Sequence, residues 1–323
     1  MELFHFQRFI SVSKGGRMST SSQSTSSSPH PTNTTTTTSP YLLHKVKPFP
    51  SCHLANMRSM SCSTSPKGIA AIVGVGPRLG RSVARKFAHE GYTVAILARD
   101  LGKRFLSPLA LLLPIEFDAP PFVFPFLLSR FADEIACEAK AQVFAIRIDC
   151  SDSKSVREAF EGVLSLGFVE VLVYNACEPP VTCPPTNFTA ITVESFERSL
   201  AVSAVGAFHC AQQVIPGMVE RGRGTIIFTG SSVSLSGFAG YCGLSCGKFA
   251  LRGLSQSLAR EYQSSGIHIA HVVIHGDIGA PRSSRGDHSS TSMDPDALAQ
   301  TYWHIHVQDK GAWTQEIDLR PST

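Results

Sequence analysis

Three glycines give the first chemical signal. Gly74, Gly76 and Gly80 follow the apolar run Ile69–Val73, and Leu79, Val83, Ala84, Phe87 and Ala88 then recur at helical spacing. Strand, tight glycine turn and helix open a dinucleotide-binding unit. Glycine lets the backbone approach a pyrophosphate, and the N–H groups at the helix start face its charge. The same pattern also occurs as a plain turn in α/β proteins without nucleotide. Arg99 follows a second strand, Thr93–Ala98, where an acid would hold a ribose 2′-hydroxyl and a base suits a 2′-phosphate. Arg78 adds a second cation inside the glycine turn. Two guanidiniums favour NADP(H) over NAD(H) through charge-assisted hydrogen bonds. Asp100 argues the other way, and Arg99–Asp100 also reads as an ordinary surface pair.

Positioning these groups requires strands that alternate with helices. Further apolar strands are expected at Val143–Ile148, Val169–Tyr174, Thr225–Thr229 and Ile267–Ile274, with a last one inside Trp313–Pro321. Helices are expected over Ser129–Ala139, from the Asp152-Ser153 cap to Leu164, over Val193–Met218, over Leu244–Tyr262, and over Pro295–His304 with Asp294 as cap. Pro216 should break the Val193–Met218 helix, and Gly222 and Gly224 should close it. Strands this uniformly apolar imply a Rossmann-like, doubly wound parallel sheet with helices on both faces. Ligands then sit beyond the carboxyl ends of the strands.

Composition narrows the partners. The chain has 323 residues, 43% of them hydrophobic, and a net charge of +4. No basic stripe suggests nucleic acid. Nine cysteines show no Cys-x-x-Cys and no zinc spacing, so we read them as reduced thiols and expect no metal. Residues 1–66 form a Ser/Thr-rich, basic, acid-poor tail that is expected to be disordered. That composition resembles an organelle transit peptide, chloroplast rather than mitochondrion because Ser and Thr outweigh Arg. The alternative is an untranslated leader with Met57 as the start, which leaves the chain cytoplasmic. Residues 67–323 then form one NAD(P)-binding domain. Within it, 105–128 is an atypical apolar insertion whose prolines forbid a continuous helix. Glu116 and Asp118 speak against a membrane span there. The stretch reads as an apolar flap or membrane-touching loop, or else as translated intron sequence or a poorly ordered insertion, and the latter pair is favoured.

Together these pieces resemble the short-chain dehydrogenase/reductase family, over Gly68 to about Pro321 apart from the insertion. The family's glycine motif corresponds to Val73-Gly74-Val75-Gly76-Pro77-Arg78-Leu79-Gly80, with Arg78 at its middle glycine. Its acid near the adenine falls on Asp149. Its Asn-Asn-Ala-Gly appears as Tyr174-Asn175-Ala176-Cys177, and its Pro-Gly as His275-Gly276, with Ile278 where a residue meets the nicotinamide amide. The resemblance implies a catalytic Asn, Ser, Tyr and Lys. Lys248 and Ser231 match the last and second of these. Leu244 occupies the Tyr position, four residues before Lys248, and Ser203 occupies the Asn position. It further implies that Lys248 holds the nicotinamide ribose, that Pro281–Met293 forms a mobile substrate lid, and that the two long helices build a homodimer or homotetramer.

A leucine has no proton to give. Losing a positioned acid or base typically costs on the order of 10²–10⁴ in rate. Tyr241, seven residues before Lys248, is a surrogate candidate but lies about 10 Å away along a helix. His275 is a second. Two functions therefore stand. One is an NADP(H)-dependent oxidoreductase that moves hydride between nicotinamide and a small carbonyl or alcohol with an altered catalytic group. The other is a cofactor-binding sensor or scaffold with little turnover.

Overall fold

The computed structural model describes residues 67–99, 127–178, 188–279 and 292–321. The tail, Asp100, nearly all of the 105–128 insertion and most of the expected lid lie outside these residues. Seven strands are present: β1 Ile69–Val73, β2 Thr93–Ala98, β3 Val143–Arg147, β4 Val169–Tyr174, β5 Gly224–Ser231, β6 Ile267–Ile274 and β7 Glu316–Leu319. They form one sheet, ordered β3-β2-β1-β4-β5-β6-β7, with every pairing parallel. The helices are α1 Leu79–His89, α2 Leu127–Ala139, α3 Ser153–Ser165, α4 Val193–Leu200, α5 Gly206–Arg221, α6 Cys242–Tyr262 and α7 Pro295–His306.

The strand sequences explain the layers. Successive strand residues point to opposite faces. Ile69, Ala71 and Val73 join a core with residues of α3, α5 and α6, among them Phe160, Val214 and Leu251. Ala70 and Ile72 join the opposite core with residues of α1, α2 and α7, including Phe87, Ile135 and Tyr302. Every residue of β1 is buried, which is why the run is apolar without alternation. Each buried Val or Ile contributes roughly 1.5–3 kcal/mol. Local caps set the helix starts. Asp152 accepts from the Lys154 N–H at 2.9 Å, and Asp294 from the Asp296 N–H at 3.0 Å.

Two expectations need correction. Pro216 does not break its helix, because α5 runs through it to Arg221. Pro216 and Gln212, whose carbonyl loses its partner, both lie on the exposed face, where water can satisfy that oxygen. The interruption falls earlier, at a π-helical turn over Ala201–Val205 that separates α4 from α5. Gly222 does close α5, with φ +61, whereas Gly224 already belongs to β5. Strand order reverses between β1 and β4. The crevice outside their carboxyl ends is where a doubly wound sheet takes its ligand.

Candidate functional site

The glycine turn sits at that crevice. Gly74 has φ +85, and a Cβ there would lie 2.4 Å from the Ala176 nitrogen. Only glycine allows β1 and β4 to end this close. Asn175 locks the pair: its Nδ2 donates to the Gly74 carbonyl at 2.9 Å, and its N–H donates to the Val73 carbonyl at 2.8 Å. Gly80 serves packing, since a Cβ would come within 2.8 Å of the Val75 Cα. Gly76 differs. A Cβ there would meet nothing within 4 Å, so the protein's own packing does not require glycine at this position. Arg78, with an exposed side chain, occupies the N-cap position of α1 without a side-chain cap, and α1 begins at buried Leu79. The first amides of that turn lack a partner within the helix. An open glycine beside helix-start amides is a cradle that fits a pyrophosphate.

Arg99 and Asp149 lie at the other side of this turn. Ser151 donates to Asp149 Oδ1 through its N–H at 2.9 Å and its Oγ at 2.6 Å. Burial opposes ionisation of Asp149, but the Ser151 hydrogen bonds and the charges of Arg99 and Arg198 outweigh it, so the carboxyl sits below its usual range. Arg99 meets Glu178 at 3.4 Å, and Arg198 of α4 donates to the other oxygen of Glu178 at 3.0 Å. Sequence reasoning missed Glu178 and Arg198. Glu178 lies 79 residues from Arg99, and no local pattern joins them.

Lys248 organises the remaining groups. It is 4% exposed on α6, and its Nζ donates to the Thr229 carbonyl of β5 at 2.8 Å. Burial pushes its pKa down, and the nearby Cys177 thiol acts in the opposite sense. Thus α6, β5 and the end of β4 converge on one ammonium. Ser231 ends β5 two residues beyond Thr229. Its hydroxyl accepts from the Ser234 N–H while its own N–H donates to Ser234 Oγ at 3.1 Å, a reciprocal cap on a short 3-10 turn. Ser203 lies in the π turn with its Oγ buried and without a hydrogen-bond partner. Its Cβ would be 2.8 Å from a Cβ on Gly247, so it packs beside the turn that carries Lys248. Buried Tyr174 donates to the Val202 carbonyl and ties the end of β4 to the same π turn.

Leu244 is half-buried, one helical turn before Lys248. Tyr241 is not part of the helix. It is the N-cap residue of α6, with φ −117 and ψ 25, about 10 Å of helix rise from Lys248. His275 follows β6, its N–H on the Leu319 carbonyl at 2.8 Å and its Nε2 3.6 Å from Asp318. Gly276 has φ +113, and Ile278 pairs with Met293 in a single parallel bridge. Behind Lys248 a further network was not legible in the sequence. Glu316 of β7 accepts two bonds of 2.7 Å from Arg252 of α6 and one of 2.9 Å from His271 Nδ1. A Cβ on Gly230 would lie 2.2 Å from the His271 Nε2, so glycine makes room for that ring. The network fastens α6 to the last two strands.

Among the described residues no helix is long and apolar enough to cross a membrane, and no group of three or more His, Cys, Asp or Glu side chains is placed to hold a metal ion.

The profile of one protein family, described as short chain dehydrogenase, matches residues 127–280. A 3alpha-hydroxysteroid dehydrogenase of Mediterraneibacter gnavus is 35% identical over 106 residues, covering 33% of this chain and 41% of that protein. An "Inactive 2-(S)-hydroxypropyl-CoM dehydrogenase 2" of Xanthobacter autotrophicus is 29% identical over 155 residues, covering 48% of this chain and 65% of that protein. The chain therefore spans less than two thirds of either relative. A solved short-chain dehydrogenase from Rhodopseudomonas palustris superposes with a TM-score of 0.62 at 27% identity, covering 79% of this chain and 99% of that one. A metagenomic short-chain oxidoreductase solved in complex with NADP has the same fold, with a TM-score of 0.61 at 21% identity, covering 79% of this chain and 97% of that one. Family profile, relatives and solved structures thus liken this chain to short-chain dehydrogenases, and the superpositions show a Rossmann-like fold.

Proposed function

We propose that this chain is a short-chain dehydrogenase that binds NADP(H), NAD(H) being the weaker cofactor, and works on a small carbonyl or alcohol with an altered catalytic group. The observation that supports this best is the buried Lys248, held on the Thr229 carbonyl within two residues of Ser231 and one helical turn from Leu244. Nicotinamide, when bound, supplies the hydride chemistry. The chain's own residues supply the seat. Gly74, Gly76, Leu79 and Gly80 take the pyrophosphate, and Arg78 and Arg99 the 2′-phosphate. Asp149 takes the adenine, Asn175 and Ala176 line the floor, and Gly276 and Ile278 meet the amide. Lys248 holds ribose hydroxyls, and Ser231 orients a substrate oxygen. At Leu244 no proton can be held or moved.

The second reading, a cofactor-binding sensor or scaffold with little turnover, draws on Leu244 beside an intact Lys248 and on a relative whose name contains the word inactive. One experiment separates them: NADPH consumption over a carbonyl panel for the wild type, Leu244→Tyr and Lys248→Ala. Wild-type turnover that disappears in Lys248→Ala supports the enzyme. Tight NADPH binding without wild-type turnover, with turnover gained in Leu244→Tyr, supports the binder. Failure to bind either nucleotide refutes both. Exposed Val205 and Phe208 at the start of α5 and Phe249 on α6 suit a homodimer face. The 1–66 tail suits an organellar address, with the cytoplasm as the alternative.

A further inference from the structure

We infer that Glu178 sets the cofactor preference of the cleft, as an internal carboxylate that competes with a 2′-phosphate for Arg99. The inference rests on the nucleotide-seat reading above and deepens it.

Its basis is where the ion pair lies. Arg99 leaves the end of β2, and Glu178 stands four residues beyond the end of β4. In the sheet, β1 lies between these two strands. Two strand spacings make about 10 Å. The Arg99–Glu178 contact therefore reaches across the end of β1, over the mouth of the turn that contains Gly74 and Gly76. It bridges the crevice at the switch point. Arg198 holds the second oxygen of Glu178 at 3.0 Å and fixes the carboxylate there from α4. All three side chains are partly solvated, at 36% for Arg99, 26% for Glu178 and 49% for Arg198. The pair is therefore weak enough to exchange partners.

The charges give the direction. Arg99 and Arg198 act on both Glu178 and Asp149 beside this opening. A 2′-phosphate must draw Arg99 away from Glu178 or share it, and it meets the repulsion of that carboxylate in either case. A ribose 2′-hydroxyl has no such conflict, because it can donate to a carboxylate oxygen. Glu178 thus weakens the phosphorylated cofactor selectively. Its removal frees Arg99 for the phosphate.

The test is titration calorimetry on the full chain with four probes: NADPH, NADH, adenosine 2′,5′-bisphosphate and 5′-AMP. Glu178→Gln should tighten NADPH and the bisphosphate roughly fivefold, the size of a partly solvated ion pair, while NADH and AMP change less than about twofold. The gain should shrink as salt rises. In an Arg99→Gln background it should vanish, because the effect runs through that guanidinium. A Glu178→Gln variant that shifts all four probes alike, or none of them, overturns the inference and leaves the nucleotide seat standing. So does a gain that persists without Arg99. Wild-type protein that binds none of the four probes overturns the seat itself, and the inference falls with it.

Discussion

Gly74 and Gly76 stand two residues apart in one turn, and the packing requires glycine at the first but not at the second. Alanine at Gly74 would sit at φ +85 with its Cβ 2.4 Å from backbone nitrogen and 2.6 Å from the Ala176 Cα. The left-handed backbone costs roughly 1–2 kcal/mol, and moving two strand ends apart costs roughly 1–3 more. At about 2–4 °C per kcal/mol for a domain of this size, Gly74→Ala should melt on the order of 10 °C lower. Alanine at Gly76 meets nothing within 4 Å, and its φ lies outside the left-handed range. That variant should melt within about 2 °C of wild type, or slightly higher, because alanine also narrows the unfolded ensemble. Its cost appears on binding. A methyl group in the path of the pyrophosphate should raise the Kd for NADPH at least about tenfold, ~1.4 kcal/mol. Thermal melts by circular dichroism and a fluorescence titration with NADPH decide the matter. A Gly76→Ala protein that binds NADPH as wild type does, or that melts as low as Gly74→Ala, refutes the division of labour.

Two further outcomes follow from buried charge. Lys248→Met removes an ammonium whose burial already disfavours its charged form. The variant should melt within about 4 °C of wild type yet bind NADPH at least about tenfold more weakly, whereas a collapse of the melt would make Lys248 a structural residue. His306 is buried, with its Nε2 2.7 Å from the Tyr92 hydroxyl and its Nδ1 2.9 Å from Thr225 Oγ1. Burial, aided by His268 and Lys67, pushes its pKa from 6.5 down to about 4. The unfolded chain therefore takes up this proton first, so stability that is complete above pH 6.5 is lost as pH falls towards 4. The loss from this one group is roughly 3 kcal/mol. Urea midpoints between about pH 8 and 4 should show that slope, and His306→Gln should flatten it; parallel curves for the two proteins would refute the assignment.

What the sequence disclosed follows from which interactions are local. Residues of β1 are buried on both faces, so the run Ile69–Val73 carries its own boundaries, and those of β2, β4 and β6 were equally legible. The proline in α5 misled because its cost depends on which side of the helix faces water, a tertiary property. The π turn at Ser203 was invisible for a related reason: its contacts are to Gly247 and Tyr174, both distant in the chain. At the site, the groups that stand near one another in the chain could be found by spacing. Glu178 could not, nor could Glu316 beneath His271, 45 residues away, nor the Thr229 carbonyl, which as backbone has no letter of its own.

Lys248 and Leu244 differ in what they ask of the fold, and that difference supports reading binding separately from turnover. A half-buried leucine on α6 costs the fold nothing and explains itself by packing. A lysine at 4% exposure loses most of its hydration, and one bond to the Thr229 carbonyl only partly replaces it. The fold alone would be better served by an apolar side chain of the same length. An ammonium kept at that expense, beside Ser231 and at the carboxyl edge of a parallel sheet, is accounted for by a polar ligand that meets it there. The same account requires no phenol at position 244. On the proposed reading, the seat and the proton donor are separable parts, with Lys248 serving the first and Leu244 standing at the position of the second.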